Sequence, residues 1–172
     1  MKKIFFLFLP AIILMSFTKT INDNWVTYKN EKANYSIDFP KEPTVKKKKR
    51  KKTTSYKVKS RDDDYRYSLN STVSKNDFQD VENLTEKLYK IFTDATGGEI
   101  EEKGTFTIGE YEGISAKIKT DKGAGILYRV IIIKNVVYHF SIISGVEYAP
   151  QEIQDKFFGS FKFHQKEGKT NG

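Results

Sequence analysis

Alternating apolar and polar residues run through most of this chain and predict short strands. Residues 35–39 give the clearest case, because Tyr35, Ile37 and Phe39 alternate with polar residues as they do in a half-buried strand. The same pattern predicts further strands over 25–28, 53–58, 65–73, 106–108, 114–118 and 161–163. Polar, turn-like stretches separate most of these segments. Antiparallel pairing through hairpins is therefore favoured.

Two consecutive segments, 126–133 and 136–143, are apolar at nearly every position. Such runs are expected at the centre of a sheet, where both faces are covered. Lys134 and Asn135 join the two segments and form a two-residue loop. This spacing predicts a tight hairpin with Asn135 in the left-handed conformation.

A change of period marks one amphipathic helix. Its apolar residues recur every three or four positions, at Val81, Leu84, Leu88, Ile91 and Phe92. Asn76 or Asp77 is expected to cap the start of this helix, and Gly97 and Gly98 are expected to end it. A second, short helix is predicted from Pro150, as its first residue, to Gly159.

The order of these elements predicts an α+β fold, in which an antiparallel β-sheet is covered by one longer and one short helix. Residues 21–164 are long enough for a single domain of this kind. The polar residues 165–172 are expected to form a disordered tail.

Residues 1–20 predict a cleavable secretory signal peptide. Lys2 and Lys3 precede an apolar run at 4–15, and small residues follow it. The uncharged stretch 4–18 is shorter than the roughly 17–25 residues that span a bilayer, so no transmembrane anchor is expected. The chain has no cysteine, which excludes disulfides, thiolate metal sites and a cysteine-linked lipid anchor. We expect an exported protein, either periplasmic or secreted.

Four segments resemble the PsbP-type α/β sandwich, a superfamily with many bacterial exported members of unassigned function. They are 35–40, 109–118, 128–140 and 157–161, and the resemblance covers residues 25–164. It implies a PsbP-like layered sandwich and a role as a binding or assembly factor. It supplies no active-site residue to place on this chain.

Positive charge is concentrated in one segment. The chain has 30 basic and 22 acidic residues, and loss of residues 1–20 removes three basic residues and no acidic one, which leaves 27 against 22. Seven of the remaining basic residues form one run: Lys46, Lys47, Lys48, Lys49, Arg50, Lys51 and Lys52. Without this run the domain would be slightly acidic.

A run of seven basic residues cannot alternate between core and solvent, so it predicts an edge strand or a protruding loop. It is the best candidate contact for an anionic envelope surface or an acidic partner. Alternatively, its lysines only block strand-to-strand aggregation and keep the protein soluble. Nucleic acid is the weakest candidate partner, because no aromatic residue interrupts the run to stack on bases.

Other chemistry-bearing residues have structural explanations. Residues 62–64, three consecutive aspartates, lack the spacing of a calcium loop and predict a hairpin turn. His139 is expected to be a sheet residue with a satisfied ring, and nothing in its spacing from His164 predicts a metal site. Gly-x-Ser-x-Gly and phosphate-loop motifs are absent from the sequence. We therefore assign no catalytic, cofactor-binding or metal-ligating residue.

These observations predict a non-enzymatic binding or accessory protein of the bacterial cell envelope. A small envelope hydrolase is the main alternative, with a site assembled from distant residues that include His139 or His164. A structural or stress-related protein, whose basic run only aids solubility, is a further alternative.

Overall fold

The computed structural model describes residues 24–78 and 83–164. The predicted signal peptide at 1–20, Val81 of the helical stripe and the tail at 165–172 lie outside the described residues.

Within the described residues the chain forms strands and two helices, which we number in chain order. They are β1 (Val26–Asn30), β2 (Tyr35–Phe39), β3 (Thr44–Lys49), β4 (Thr53–Arg61), β5 (Tyr65–Ser74), α1 (Leu84–Thr96), β6 (Gly98–Ile108), β7 (Tyr111–Thr120), β8 (Gly125–Ile133), β9 (Val136–Ser144), α2 (Gln151–Gly159) and β10 (Lys162–Phe163).

The strands form two sheets in which every pairing is antiparallel. The larger sheet has seven strands in the order β3-β4-β5-β9-β8-β7-β6, and the smaller has the order β1-β2-β10. The predicted α+β class with antiparallel pairing is confirmed, but the strands are divided between two sheets where one was expected. The apolar β9 is the middle strand of the large sheet and β8 lies beside it, as predicted.

The two helices lie on opposite faces of the large sheet. Successive side chains of a strand point to opposite faces, and the residues of β8 accordingly belong to two different cores. Leu127 and Ile131 of β8 belong to a core shared with β2 and α2. Tyr128 and Val130 of the same strand belong to a second core, shared with Tyr89 of α1. The small sheet and α2 therefore cover one face, and α1 covers part of the other.

Aromatic residues join the small sheet to the large one. The rings of Tyr35 and Tyr138 meet edge to face with centroids 5.7 Å apart, and Phe161 stacks on Tyr35 at 5.7 Å. The Tyr138 hydroxyl donates a hydrogen bond to the Ala33 carbonyl at 2.5 Å. Phe157 of α2 is fully buried in the same core. These contacts pack the small sheet and α2 against the large sheet and exclude solvent from the first core.

The helix ends differ in part from the prediction. Asn83, in the left-handed conformation, precedes α1, so the prediction of Asn76 or Asp77 as the cap was wrong. Gly97 ends α1 as predicted, with a φ of 61° and its N–H donating to the Thr93 carbonyl. Pro150 is the cap of α2 and not its first helical residue.

Two strand predictions also need correction. Lys134, with a φ of 54°, takes the left-handed conformation in the β8–β9 turn that was predicted for Asn135. The Asn135 side-chain amide instead donates to the Ser74 carbonyl at 2.6 Å, which ties the turn to β5. Strand β6 begins at Gly98 and is much longer than the predicted 106–108. It is an edge strand with mostly exposed side chains, so it lacks a clear alternation of apolar residues.

Candidate anion-binding face

The basic run lies at one edge of the large sheet, as predicted. Residues 46–49 belong to β3, the edge strand, and residues 50–52 form the turn into β4. All seven side chains are exposed. The turn is anchored by backbone hydrogen bonds, from the Arg50 N–H to the Thr53 carbonyl at 2.8 Å and from the Lys75 N–H to the Lys52 carbonyl at 3.0 Å.

Strand alternation divides this run between two faces of the sheet. Lys47 pairs with Tyr56, and its ammonium lies 5.7 Å from the centroid of the Tyr56 ring, on the face that carries the small sheet. Lys46 and Lys48 therefore point to the opposite face, the one that carries α1. The run therefore does not present a single surface, because its β3 lysines point to two faces of the sheet.

Basic residues of β4 and β5 extend the α1-side group across the sheet. Lys46 pairs with Lys57, and Arg61 pairs with Arg66. Lys59 lies between these two pairs, two residues from Lys57 and from Arg61 on the same face of β4. We define the cationic face by the six basic side chains that point this way: Lys46, Lys48, Lys57, Lys59, Arg61 and Arg66.

The cationic face is open and has no acidic residue on its strands. Strands β3, β4 and β5 contain no Asp or Glu, and all six basic side chains are exposed. Among the described residues, none of the six forms an ion pair. Helix α1 packs on β6, β7 and β8, so in the described part of the chain no helix covers this half of the sheet on the cationic face.

The charges of the face act on one another. Partial burial lowers the pKa of Lys59, and the nearby charges of Lys57, Lys46 and Arg66 lower it further. Such mutual repulsion costs free energy that an arriving anion would relieve. Neighbouring side chains lie about 5 Å apart between strands and about 7 Å apart along a strand, so the charges form a flat array and not a deep pocket.

The aspartates at 62–64 form the turn between β4 and β5, as predicted. One carboxylate oxygen of Asp62 accepts backbone N–H bonds from Asp64 at 3.0 Å and Tyr65 at 2.7 Å. The other oxygen accepts a bond from the Tyr67 hydroxyl at 2.9 Å. Asp62 is thus used in the turn and turned away from the cationic face. In the part of the chain that the structure describes, no group of three His, Asp or Glu residues could hold a metal ion.

The two histidines are far apart in the fold: His139 lies on β9 of the large sheet, and His164 directly follows β10 of the small sheet. The Nδ1 atom of His139, on β9, shares a 2.5 Å hydrogen bond with the Tyr128 hydroxyl, which confirms the predicted satisfied ring. Burial lowers the pKa of His139 to about 4. The Nε2 atom of His164 lies 3.0 Å from the Ser36 hydroxyl. Within 24–78 and 83–164, no carboxylate is hydrogen-bonded to either ring.

The sequence predicted the run, but four of the six residues of the cationic face lie outside it and were not predicted. Lys57, Lys59 and Arg61 lie two positions apart, which places them on one side of a strand. That period-two spacing was the available signal. Their partner Arg66 lies across the aspartate turn, and only the hairpin register brings it beside Arg61.

Comparisons with known proteins add little to this description. No protein-family model matches the chain, and no curated protein matches it significantly. Among solved structures, the chain is similar to PA94, a protein of unknown function from Pseudomonas aeruginosa, at 9% identity and a TM-score of 0.37. That likeness covers 70% of this chain and 82% of PA94 and is too low to support an argument. Neither described helix has the length and apolar character needed to cross a membrane.

Proposed function

We propose that this chain is an exported, non-enzymatic binding protein that attaches to the anionic membrane surface of the cell envelope through its cationic face. The observation that carries this proposal is the flat array of six exposed cations on three strands without an acidic residue. A basic residue close to an anionic bilayer is attracted by about 1 kcal/mol. A flat array can bring several such residues to one surface together.

Two further observations support a binding role over the hydrolase alternative. Among the described residues, His139 bonds to a tyrosine hydroxyl and His164 to a serine hydroxyl, and neither has the carboxylate that would orient a catalytic ring. The pKa of His139, lowered to about 4 by burial, is also poorly suited to a general base at neutral pH.

Vesicle binding tests the proposal directly. The purified protein should co-sediment with vesicles of phosphatidylglycerol and phosphatidylcholine in equal parts, and not with vesicles of phosphatidylcholine alone. Raising the salt from about 0.01 M to about 1 M should abolish this binding, because the Debye length falls from about 30 Å to about 3 Å. Binding to both kinds of vesicle, or binding that is unaffected by salt, would contradict the proposal.

Two variants with the same change of charge separate the face from the run. The face variant, K46Q/K48Q/K57Q/K59Q, removes four cations from the cationic face. The run variant, K47Q/K49Q/K51Q/K52Q, removes four cations of the predicted run and leaves the face intact.

We expect the face variant to weaken vesicle binding at least about tenfold and the run variant to weaken it much less. Equal losses, or a larger loss in the run variant, would show that the segment acts through its total charge and not through a face. Tighter binding to an acidic polysaccharide such as polygalacturonate than to the vesicles would refute the membrane assignment.

We also propose that the two-sheet arrangement is a PsbP-like layered sandwich. The four resembling segments support this, since they fall on β2, β7, the β8–β9 hairpin and α2 with its following residues. Superposing an experimental structure on a photosystem II extrinsic protein would test it. Export itself is tested by cell fractionation, in which the mature protein should lack residues 1–20.

A further inference from the structure

A small groove lies on the other face of the large sheet, beside α2. Its volume is about 210 Å³, and its floor is formed by β6, β7 and β8. Gly104, Ser115 and Arg129 are cross-strand partners in one row of this floor, and Gln154 and Phe158 of α2 line its wall. The groove is on the α2 side of the sheet and so is separate from the cationic face.

Two aromatic rings hold Arg129 in the groove. Its guanidinium carbon lies 4.2 Å from the ring centroid of Phe158 and 5.1 Å from that of Phe106. In the described part of the chain, the guanidinium makes no hydrogen bond and no ion pair. The nearby Asp155 accepts a hydrogen bond from Gln151 at 2.7 Å, and its charge acts on Arg129 only from beyond ion-pair distance.

Two glycines keep this arrangement open. A Cβ on Gly113 would lie 2.7 Å from the Phe106 ring, so glycine leaves the ring room to lie over β7 and reach Arg129. A Cβ on Gly104 would lie 3.0 Å from the Ser115 hydroxyl. The Ser115 hydroxyl, directly opposite Arg129 in the register, also makes no hydrogen bond within the described residues.

The donors in the groove suit a carboxylate group. Rings that lie against a guanidinium leave its N–H groups for ligands, and two parallel N–H groups match the two oxygens of a carboxylate. The Ser115 hydroxyl can donate a third bond to the same group. At the rim, the ion pair of Lys117 with Glu102 at 2.5 Å and the carboxylate of Asp155 favour a singly charged group over a doubly charged phosphate.

We propose that the Arg129 groove binds a carboxylate, with Arg129 as its bidentate donor and Ser115 as the supporting donor. The carboxylate comes either from a small free acid or from the end of a peptide chain. The volume of the groove accommodates the carboxylate and a few neighbouring atoms, so a longer ligand extends over the rim.

Nuclear magnetic resonance of ¹⁵N-labelled protein tests this proposal with defined probes. Sodium acetate and N-acetyl-triglycine with a free carboxyl end should both shift the side-chain Nε–H signal of Arg129 and the backbone amide of Ser115. The same peptide with an amidated end should shift neither. If the free-acid peptide binds more tightly than acetate, the ligand is the end of a peptide chain. If the two affinities are equal, the ligand is a small free acid.

Two variants make the result specific. R129K keeps the positive charge but loses the planar fork, and should weaken acetate binding about tenfold or more. S115A should weaken it a few-fold, and the face variant K46Q/K48Q/K57Q/K59Q should leave it unchanged. The proposal is overturned if neither carboxylate probe shifts these signals, if phosphate binds more tightly than acetate, or if S115A and a folded R129K bind acetate like the unaltered protein.

Discussion

Replacing Tyr35 by phenylalanine should stabilise the protein, whereas the same change at Tyr138 should destabilise it. Both side chains have no exposed surface, and their rings contact each other edge to face. They differ in their hydroxyls. The Tyr138 hydroxyl donates to the Ala33 carbonyl, while the Tyr35 hydroxyl is buried and has no hydrogen-bond partner among the described residues.

The surroundings of the Tyr35 hydroxyl explain this difference. Burial raises the pKa of Tyr35, and the nearby Ser71 hydroxyl and Asn30 amide partly oppose that rise. Neither group reaches hydrogen-bond geometry, however, and the Ser71 hydroxyl and Asn30 amide nitrogen are themselves buried without partners. Hydrogen bonds weaken steeply outside their normal distances and angles, so neither group stabilises the Tyr35 hydroxyl as a bonded partner would.

The magnitudes follow from the cost of burying a polar group. An unpartnered buried hydroxyl costs about 1–3 kcal/mol, so Tyr35→Phe should raise the free energy of unfolding by about 1 kcal/mol. Tyr138→Phe removes a buried hydrogen bond and should lower that free energy by about 1–2 kcal/mol. The two variants should then differ by about 1 M in their urea midpoints.

Urea unfolding followed by circular dichroism measures both variants against the unaltered protein. Ser71→Ala is the control. It should change the free energy of unfolding little, because the Ser71 hydroxyl makes no hydrogen bond within the described residues. Destabilisation by Tyr35→Phe as large as that by Tyr138→Phe would refute the reasoning, since it would require a strong partner for the Tyr35 hydroxyl.

Two further changes should also follow from the described contacts. Burial lowers the pKa of His139 from 6.5 to about 4, so the unfolded chain takes up a proton first and stability is lost as the pH falls through this range. His139→Gln should reduce this loss of unfolding free energy between pH 7 and pH 4 by about 2 kcal/mol. This is less than the full pKa shift implies, because the side chain keeps some exposed surface. Identical profiles of stability against pH for the two proteins would contradict this. A Cβ on Gly113 would lie 2.7 Å from the Val130 carbonyl oxygen, so Gly113→Ala should cost about 1–3 kcal/mol in thermal unfolding. Gly104→Ala, where the Cβ meets only a side-chain hydroxyl at 3.0 Å, should cost less, and the opposite order would contradict the packing.

Sequence reasoning was most successful where burial is strong. The β8–β9 hairpin and its central place could be predicted because both faces of these strands are covered, which demands apolar residues throughout. Gly97 could be predicted as the end of α1 because the left-handed conformation favours glycine. Both requirements are local, so the amino-acid sequence alone is enough to predict them.

Features set by distant contacts could not be predicted in this way. The separation of β1, β2 and β10 into a second sheet depends on which edges meet, and the alternation within each strand does not encode this. The six cations come together only through the register of β3, β4 and β5. Arg129 gave no sequence signal, because its ring contacts come from β6 and α2.

The position of β2 between β1 and β10 has a consequence for how the protein folds. Strand β2 pairs with β10, more than a hundred residues later in the chain, and the fully buried Tyr35 and Phe39 contact Phe161 and Phe157. Early strands therefore cannot complete their packing until residues 157–163 have been synthesised. Such long-range closure slows folding, because loop-closure entropy is lost before these contacts form. The packing of the β1–β2 hairpin therefore stays incomplete until the last strand of the domain is available.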